Sequence, residues 1–263
     1  MSGPTLKCYS WNVNGFRSIL GKGFMDWLEA ADPDLLNLQE IRAQWDELDL
    51  GVRRALESAF DVCWFPSSAR KGYAGSATLA KRELGFSHHA GLGIEAYDQE
   101  GRIIISSRGK LTFIGGYFPN ASTGLVRLPF KRQFARDLAA LIRDRHALGE
   151  QVILTGDMNV APEPIDLARP DDNHESPGFF PQERQAMTEF LAAGFVDSFR
   201  EQHPGKGGLY SWWSYRAAAR ERNVGWRIDY TCVSPSLRSR VKKTWIEADV
   251  MGSDHCPVGM EMK

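Results

Sequence analysis

Cysteine is scarce and scattered: Cys8, Cys63, Cys232 and Cys256 are the only four in 263 residues, and no two form a Cys-x-x-Cys pair. That excludes a disulfide-stapled scaffold, a thiolate zinc site and a redox dithiol. The four read as reduced, buried small hydrophobes, which places the chain in a reducing cytoplasm. No run of about 18 apolar residues occurs, and the opening Met1-Ser-Gly-Pro-Thr-Leu-Lys lacks the apolar stretch of a signal peptide. Membrane spanning and secretion are therefore not expected. Neither sign of charge is in excess, with 32 Lys and Arg against 33 Asp and Glu and a net charge of -1. Without a whole-molecule field to attract a polyanion, any nucleic-acid site must be a local basic patch. No Pro/Gly/Ser linker, low-complexity tract or repeat divides the chain. It reads as one domain over residues 1–263, with its first motif so near the start that no long N-terminal arm is expected. Also missing are His-Glu-x-x-His, an EF-hand loop, Gly-x-Ser-x-Gly and a Walker A sequence, since Gly205-Lys206 is followed by Gly207. The commonest zinc-protease, esterase and nucleotide-binding readings fall away.

What is present is an ordinary globular composition, 43% apolar and 25% charged, enough for one large core or two modest ones. β-branched and aromatic runs predict strands at 5–13, 34–39, 75–80, 102–107, 111–117 and 151–155, then near 210–213, 226–233, 241–247 and 257–262. Helical spacing of apolar residues predicts helices at 24–30, 45–60, 128–147 and 181–193, seen best in Leu138, Leu141, Ile142 and Leu148. Strands occur both in helix-separated order and in consecutive runs, which predicts mixed sheets covered by helices. The irregular, proline-rich stretch 161–177 reads as a long surface loop.

Four strand ends carry acids and amides where the next side chain can face a cleft: Ser10-Trp11-Asn12-Val13-Asn14, Leu38-Gln39-Glu40, Gly156-Asp157-Met158-Asn159 and Ser253-Asp254-His255. Singly, each suits a turn. Together they offer hard oxygen donors, the chemistry of Mg²⁺ or Mn²⁺ with a phosphate substrate.

In that order these motifs resemble the signature set of the endonuclease/exonuclease/phosphatase superfamily. Finer motifs narrow the likeness: Arg70-Lys71-Gly72-Tyr73-Ala74-Gly75, Tyr117-Phe118-Pro119-Asn120, Ile165-Asp166-Leu167, Gly178-Phe179-Phe180-Pro181-Gln182-Glu183-Arg184, and Trp212-Trp213-Ser214-Tyr215 leading to Asn223-Val224-Gly225-Trp226-Arg227-Ile228-Asp229-Tyr230. They resemble the exonuclease III family of apurinic/apyrimidinic (AP) endonucleases over almost the whole chain. Two positions depart from the pattern of some relatives. Asn14 stands where they have Asp, and Ala121-Ser122-Thr123 stands where they carry an Arg wedge.

The resemblance implies a four-layered α/β sandwich of two mixed sheets packed face to face between helices. It implies a metal site drawn from Asn12, Glu40, Asp157, Asn159, Asp254 and His255, with Glu40 as main ligand and Mg²⁺, or Mn²⁺, as the ion. Tyr117, Asp157, Asn159, Asp229 and His255 form the implied catalytic set: Asp157 or His255 serving the attacking water, Asp229 orienting His255, and Tyr117 meeting the scissile phosphate. The stretch 206–227 holds Lys206, Arg216, Arg220, Arg222 and Arg227 against Glu221 alone, interleaved with aromatics, a pattern suited to phosphates and exposed sugars. By family likeness, Trp212, Trp226 and Ile228 form the slot for an extruded abasic sugar. Arg17, Tyr73, Asn120, Arg216, Arg220 and Asn223 contact DNA, and Gly178 lets a continuous strand pass. The implied activity is incision 5′ to abasic sites in duplex DNA, with 3′-5′ exonuclease and 3′-phosphatase or phosphodiesterase activity. A 3′ end-cleaning enzyme with little internal incision is the alternative; a non-catalytic DNA-binding scaffold would require loss of Glu40, Asp157 or His255. The expected partner is duplex DNA with abasic sites or blocked 3′ ends, engaged by a bacterial-type, nucleoid-associated monomer.

Overall fold

Strand β1 (Leu6–Asn12) shows how alternation sorts the side chains. Tyr9 and Trp11 join Phe16, Phe24 and Leu28 on one face, while Cys8 joins Phe113, Ile153 and Met260 on the other, as the period-two geometry of a strand requires. A computed structural model describes residues 5–263. Six strands form the first sheet, in spatial order β13 (Val241–Ile246), β14 (Val258–Met262), β1, β2 (Leu35–Gln39), β4 (Ser76–Lys81) and β3 (Phe60–Phe65). Six form the second: β5 (Ser87–Ala90), β6 (Ile103–Arg108), β7 (Leu111–Tyr117), β8 (Gln151–Asp157), β12 (Asp229–Val233) and β9 (Val196–Asp197). Each is mixed, because β1 runs parallel to β2 and β7 parallel to β8, whereas the other neighbours are antiparallel.

Helices α1 (Phe16–Leu20), α2 (Phe24–Ala31) and α3 (Leu50–Ala59) cover the outer face of the first sheet. On the second sheet lie α5 (Leu128–Ala147) and α6 (Pro181–Ala192); α4 (Glu95–Asp98) and α7 (Ser198–Gln202) are short turns. In α5 the stripe Phe134, Leu138 and Ile142 is fully buried, each side chain contributing about 1.5 to 3 kcal/mol. The result is the mixed sheets covered by helices that the strand order predicts, in the four-layered sandwich that the family resemblance implies. A two-stranded ribbon of β10 (Trp212–Trp213) and β11 (Gly225–Trp226) stands at one end.

The layer between the sheets changes character along the strands. Cys8, Ser10 and Asn12 succeed one another on the inner face of β1, as do Ile153, Thr155 and Asp157 on β8 and Val233, Thr231 and Asp229 on β12, all buried. The layer is thus apolar at one end, neutral-polar in the middle and ionic at the other. Midway, the Asn37 amide donates to the Thr155 carbonyl at 3.1 Å across the sheets. Gly115 makes room for it, since a Cβ there would sit 2.4 Å from Asn37 Oδ1.

Several sequence expectations need correction. The helix expected at 45–60 is a single 3-10 turn at Trp45–Glu47 followed by α3, which Asp49 caps through the Gly51 and Val52 amides. Phe60 then opens β3, because Phe60–Phe65 pairs with β4. Strand β5 lacks an apolar alternation and exists through its pairing with β6. The strand expected at 226–233 is interrupted between β11 and β12. Cys63 is half-buried on the edge strand β3, unlike the other three cysteines, and all four are free thiols. The 161–177 stretch is anchored: Asp166 is buried and accepts from Arg227 Nε at 2.8 Å and Arg200 at 2.5 Å. Arg227 is therefore a buried ion-pair member, not a phosphate contact. Among the described residues no helix is long and apolar enough to cross a membrane.

Candidate active site

Strand register alone aligns three of the expected residues. Asp157 pairs with Tyr117 on one side and Asp229 on the other, a row across β7, β8 and β12. From the opposing sheet Asn12, fully buried, donates its amide to Glu40 Oε1 and to Asp157 Oδ2, each at 3.0 Å. The Tyr117 hydroxyl donates to the same Glu40 Oε1 at 2.8 Å, and Arg42 pairs with Oε2. Asn159 donates its backbone N–H to Asp157 Oδ1 at 2.8 Å and its side-chain amide to Oδ2 at 3.1 Å. It does so with φ of +53°, a left-handed conformation that Asn adopts more readily than most residues.

His255 stands between two carboxylates. Its Nδ1 lies 2.9 Å from Asp229 Oδ2, and its Nε2 lies 3.9 Å from Asp157 Oδ2. Because Asp229 can only accept, Nδ1 carries the proton. Burial opposes charge on the ring, yet the charge and hydrogen bond of Asp229, with Asp157 and Asp254 nearby, outweigh it and hold the imidazole pKa well above its usual value. Burial likewise raises Asp157; His255 opposes that shift and Asp229 reinforces it. Tyr117 is pushed well up by burial and by the Glu40 charge.

Oxygen donors dominate the cluster. Asp157, Asp229 and His255 offer ligand atoms within 4.8 Å of one another, and buried Asp229 Oδ1 has no hydrogen-bond partner among the described residues. Glu40 and Asp254, which line the cavity, and Asn12, buried behind Glu40, add hard oxygens, so the residues fit a divalent cation. Asn14 is positioned by donating to Asp254 Oδ1 at 2.8 Å, with its backbone N–H on Asn12 Oδ1 at 3.0 Å. An amide here therefore neutralises part of the Asp254 acceptor surface instead of adding a charge.

The expected sugar slot is the other wall of the same space. Trp212, Trp226, Ile228 and Gly178 line a cavity of about 200 Å³ together with Asp157 and His255. Trp212 and Trp226 meet edge to face with centroids 6.2 Å apart, and Trp212 Nε1 donates to Asp254 Oδ2 at 3.1 Å. Gly178 is buried with φ of +91°, and a Cβ there would meet Asn159 O at 3.1 Å and the Trp226 ring at 3.3 Å. Its smallness thus serves internal packing.

Around the rim, Arg17 is exposed beside Glu47 and Arg216 is exposed on the loop after β10. Asn120 donates to Asn159 Oδ1 at 2.8 Å. Tyr73 has its ring under Arg70, and its hydroxyl accepts from Arg127 and Arg102. Arg220 has internal duties: it donates to the Ser253, Ala248 and Val250 carbonyls and covers the Trp213 ring. Asn223 likewise accepts from Trp213 Nε1 and donates to the Gly208 carbonyl. Sequence reasoning missed Arg42 and Arg102. Arg102 is 1% exposed, stacks over the Tyr117 ring at 4.7 Å and donates to the Tyr117 carbonyl. It missed Lys131 and Glu183 as well, although a charge within the apolar face of each amphipathic helix is a readable signal.

A model of the Endonuclease/Exonuclease/phosphatase family matches residues 9–255. The chain is 44% identical over 254 residues to a Bacillus subtilis exodeoxyribonuclease, covering 96% of this chain and 98% of that one. Its structure is similar to an AP endonuclease from Leishmania major, with TM-score 0.88, 31% identity, and coverage of 98% and 88%. It is also similar to a Neisseria 3′ phosphatase solved with a product DNA hairpin, with TM-score 0.84, 27% identity, and coverage of 98% and 99%.

Proposed function

The chain belongs to the endonuclease/exonuclease/phosphatase family, and on that premise we propose that it is a DNA-repair AP endonuclease that hydrolyses the phosphodiester 5′ to abasic sites and also trims or cleans 3′ ends. One observation carries the reading: the ionic cluster and the apolar Trp212, Trp226 and Ile228 slot are walls of a single cavity of about 200 Å³. A sugar without its base fits such a slot, whereas an intact nucleotide is excluded by size. In this reading Asn12, Glu40 and Asp254 hold Mg²⁺, with Mn²⁺ as a substitute. When bound, the ion supplies positive charge against the phosphate oxygens. Asp157, fixed at both oxygens by Asn159 and Asn12, orients the attacking water and accepts its proton. His255, held protonated at Nδ1 by Asp229, presents Nε2 to a phosphate oxygen and stabilises its growing charge. Tyr117 directs its hydroxyl toward the same phosphate. Arg17, Tyr73, Asn120 and Arg216 border the duplex path, while Arg220 and Asn223 shape the loops that carry it.

The test compares three duplexes at one salt concentration: an internal abasic analogue, a recessed 3′ end and a nick bearing 3′-phosphate. The abasic duplex is expected to be cut fastest, and excess chelator is expected to silence all three reactions. Rapid 3′-phosphate release with barely detectable abasic incision would instead favour a 3′ end-cleaning enzyme, closer to the Neisseria 3′ phosphatase. Full activity in chelator would remove the metal-dependent reading.

A further inference from the structure

Behind the site, a buried ion pair joins the two helices that cover the second sheet. Lys131 Nζ on α5 lies 2.6 Å from Glu183 Oε1 on α6, with side chains 5% and 0% exposed. Each partner also bonds a backbone group of a site turn. Lys131 Nζ donates to the Asn159 carbonyl at 2.7 Å, and the Gly178 N–H donates to Glu183 Oε2 at 2.8 Å. Both turns are left-handed, with φ of +53° at Asn159 and +91° at Gly178, and neither lies within regular secondary structure. Asn159 in turn holds both oxygens of Asp157, and Gly178 packs on the Trp226 ring.

Folding alone does not explain these charges. A buried ion pair is weak evidence for stability, and apolar residues of similar volume often replace one at no loss. The surroundings suit such a replacement, since Phe118, Met158, Val160, Met187 and Phe190 adjoin the pair. What apolar residues could not do is grip a carbonyl on one turn and an amide on the other. We propose that Lys131 and Glu183 form a clamp that positions the Asn159 turn against the Gly178 turn, making both positioning residues for phosphodiester hydrolysis. The clamp sets the placement of the Asp157 carboxylate relative to the sugar slot, and it rests on the reading of Asp157 and of that slot given above.

The decisive variant is the double replacement Lys131→Met with Glu183→Leu, accompanied by Lys131→Met alone. The single variant leaves Glu183 buried without its partner, so its Tm should fall; the double variant should recover most of that loss. Single-turnover rates on the abasic and 3′-phosphate duplexes should nevertheless stay about tenfold to a hundredfold below wild type in the double variant, because sub-ångström misplacement acts on the chemical step. Affinity for the uncleaved abasic duplex, measured in chelator, should remain near wild type. Exchange of the Gly178 amide hydrogen should quicken by about tenfold or more, since its acceptor is gone. A double variant that recovers wild-type rates along with Tm would overturn the clamp, as would unchanged Gly178 exchange. Failure of the functional reading would show differently: wild type would cut neither duplex, while Gly178 exchange would still judge the clamp.

Discussion

Asn12 lies where the two sheets meet at the ionic end of the sandwich, and its one amide touches both Glu40 and Asp157. Two carboxylates that share a donor need not share a function. Both are bound at both oxygens, but Asp157 is 1% exposed and held by neutral amides, whereas Glu40 is partly exposed at the mouth and paired with Arg42. On the proposed reading Asp157→Asn removes the proton acceptor, so the rate should fall by about 10² to 10⁴, with DNA binding retained and no recovery at high Mn²⁺. If Glu40 holds the metal as proposed, Glu40→Gln should lose activity that returns in part as Mg²⁺ or Mn²⁺ is raised. Titrating both variants with metal in the incision assay separates the two roles. An Asp157→Asn enzyme keeping more than about a tenth of the wild-type rate would contradict the base assignment. At this scale much of the candidate site was legible, because an acid or amide just past an apolar strand stands out from its neighbours. Lys131 and Glu183 show in the sequence only as charges within the apolar face of a helix, and their use, like that of Arg102, is visible only when the fold supplies the partner.

Elements were legible where the apolar signal is unbroken, as in the fully buried runs of β1 and β8 and the helical stripe of α5. They were not where pairing overrides propensity. Phe60–Phe65 is a strand because β4 lies beside it, and Ser87–Ala90 is one only because β6 does. The last turn of α5 makes a further prediction. His146 sits there with Nε2 2.7 Å from Ser234 Oγ, its ring against Phe195, and burial lowers its pKa. The folded state thus prefers the neutral ring, and the unfolded chain binds more protons as pH drops through the ordinary histidine value of about 6.5. His146's contribution to stability should therefore be lost on acidification through and below that value, against the opposite contribution of Asp157, whose raised pKa favours the folded state as it is protonated. His88 on β5 is lowered by burial too, so His146→Gln should flatten part of the slope, not all of it. Urea unfolding of wild type and variant at several pH values checks this; parallel curves would contradict it.

Over the whole molecule, the inner layer runs from Cys8, Ile153 and Val233 through Ser10, Thr155 and Thr231 to Asn12, Asp157 and Asp229. The apolar end supplies cohesion, and the ionic end places charges that an isolated loop could not hold in register. The ribbon of β10 and β11 then sets an apolar wall against those charges. Its foundation is the buried network of Arg227 with Asp166 and Asp197, which fixes the chain on either side of Trp226. On the proposed function this wall, sharing one cavity with the ionic cluster, selects an extruded abasic sugar. Trp226→Ala tests it most directly when abasic incision and 3′-phosphate release are measured on the same preparation, so that any general loss of stability or metal binding cancels in the ratio. A wall contact worth roughly 1 to 3 kcal/mol predicts that abasic incision slows about fivefold to a hundredfold more than 3′-phosphate release. Equal slowing of the two reactions would contradict it.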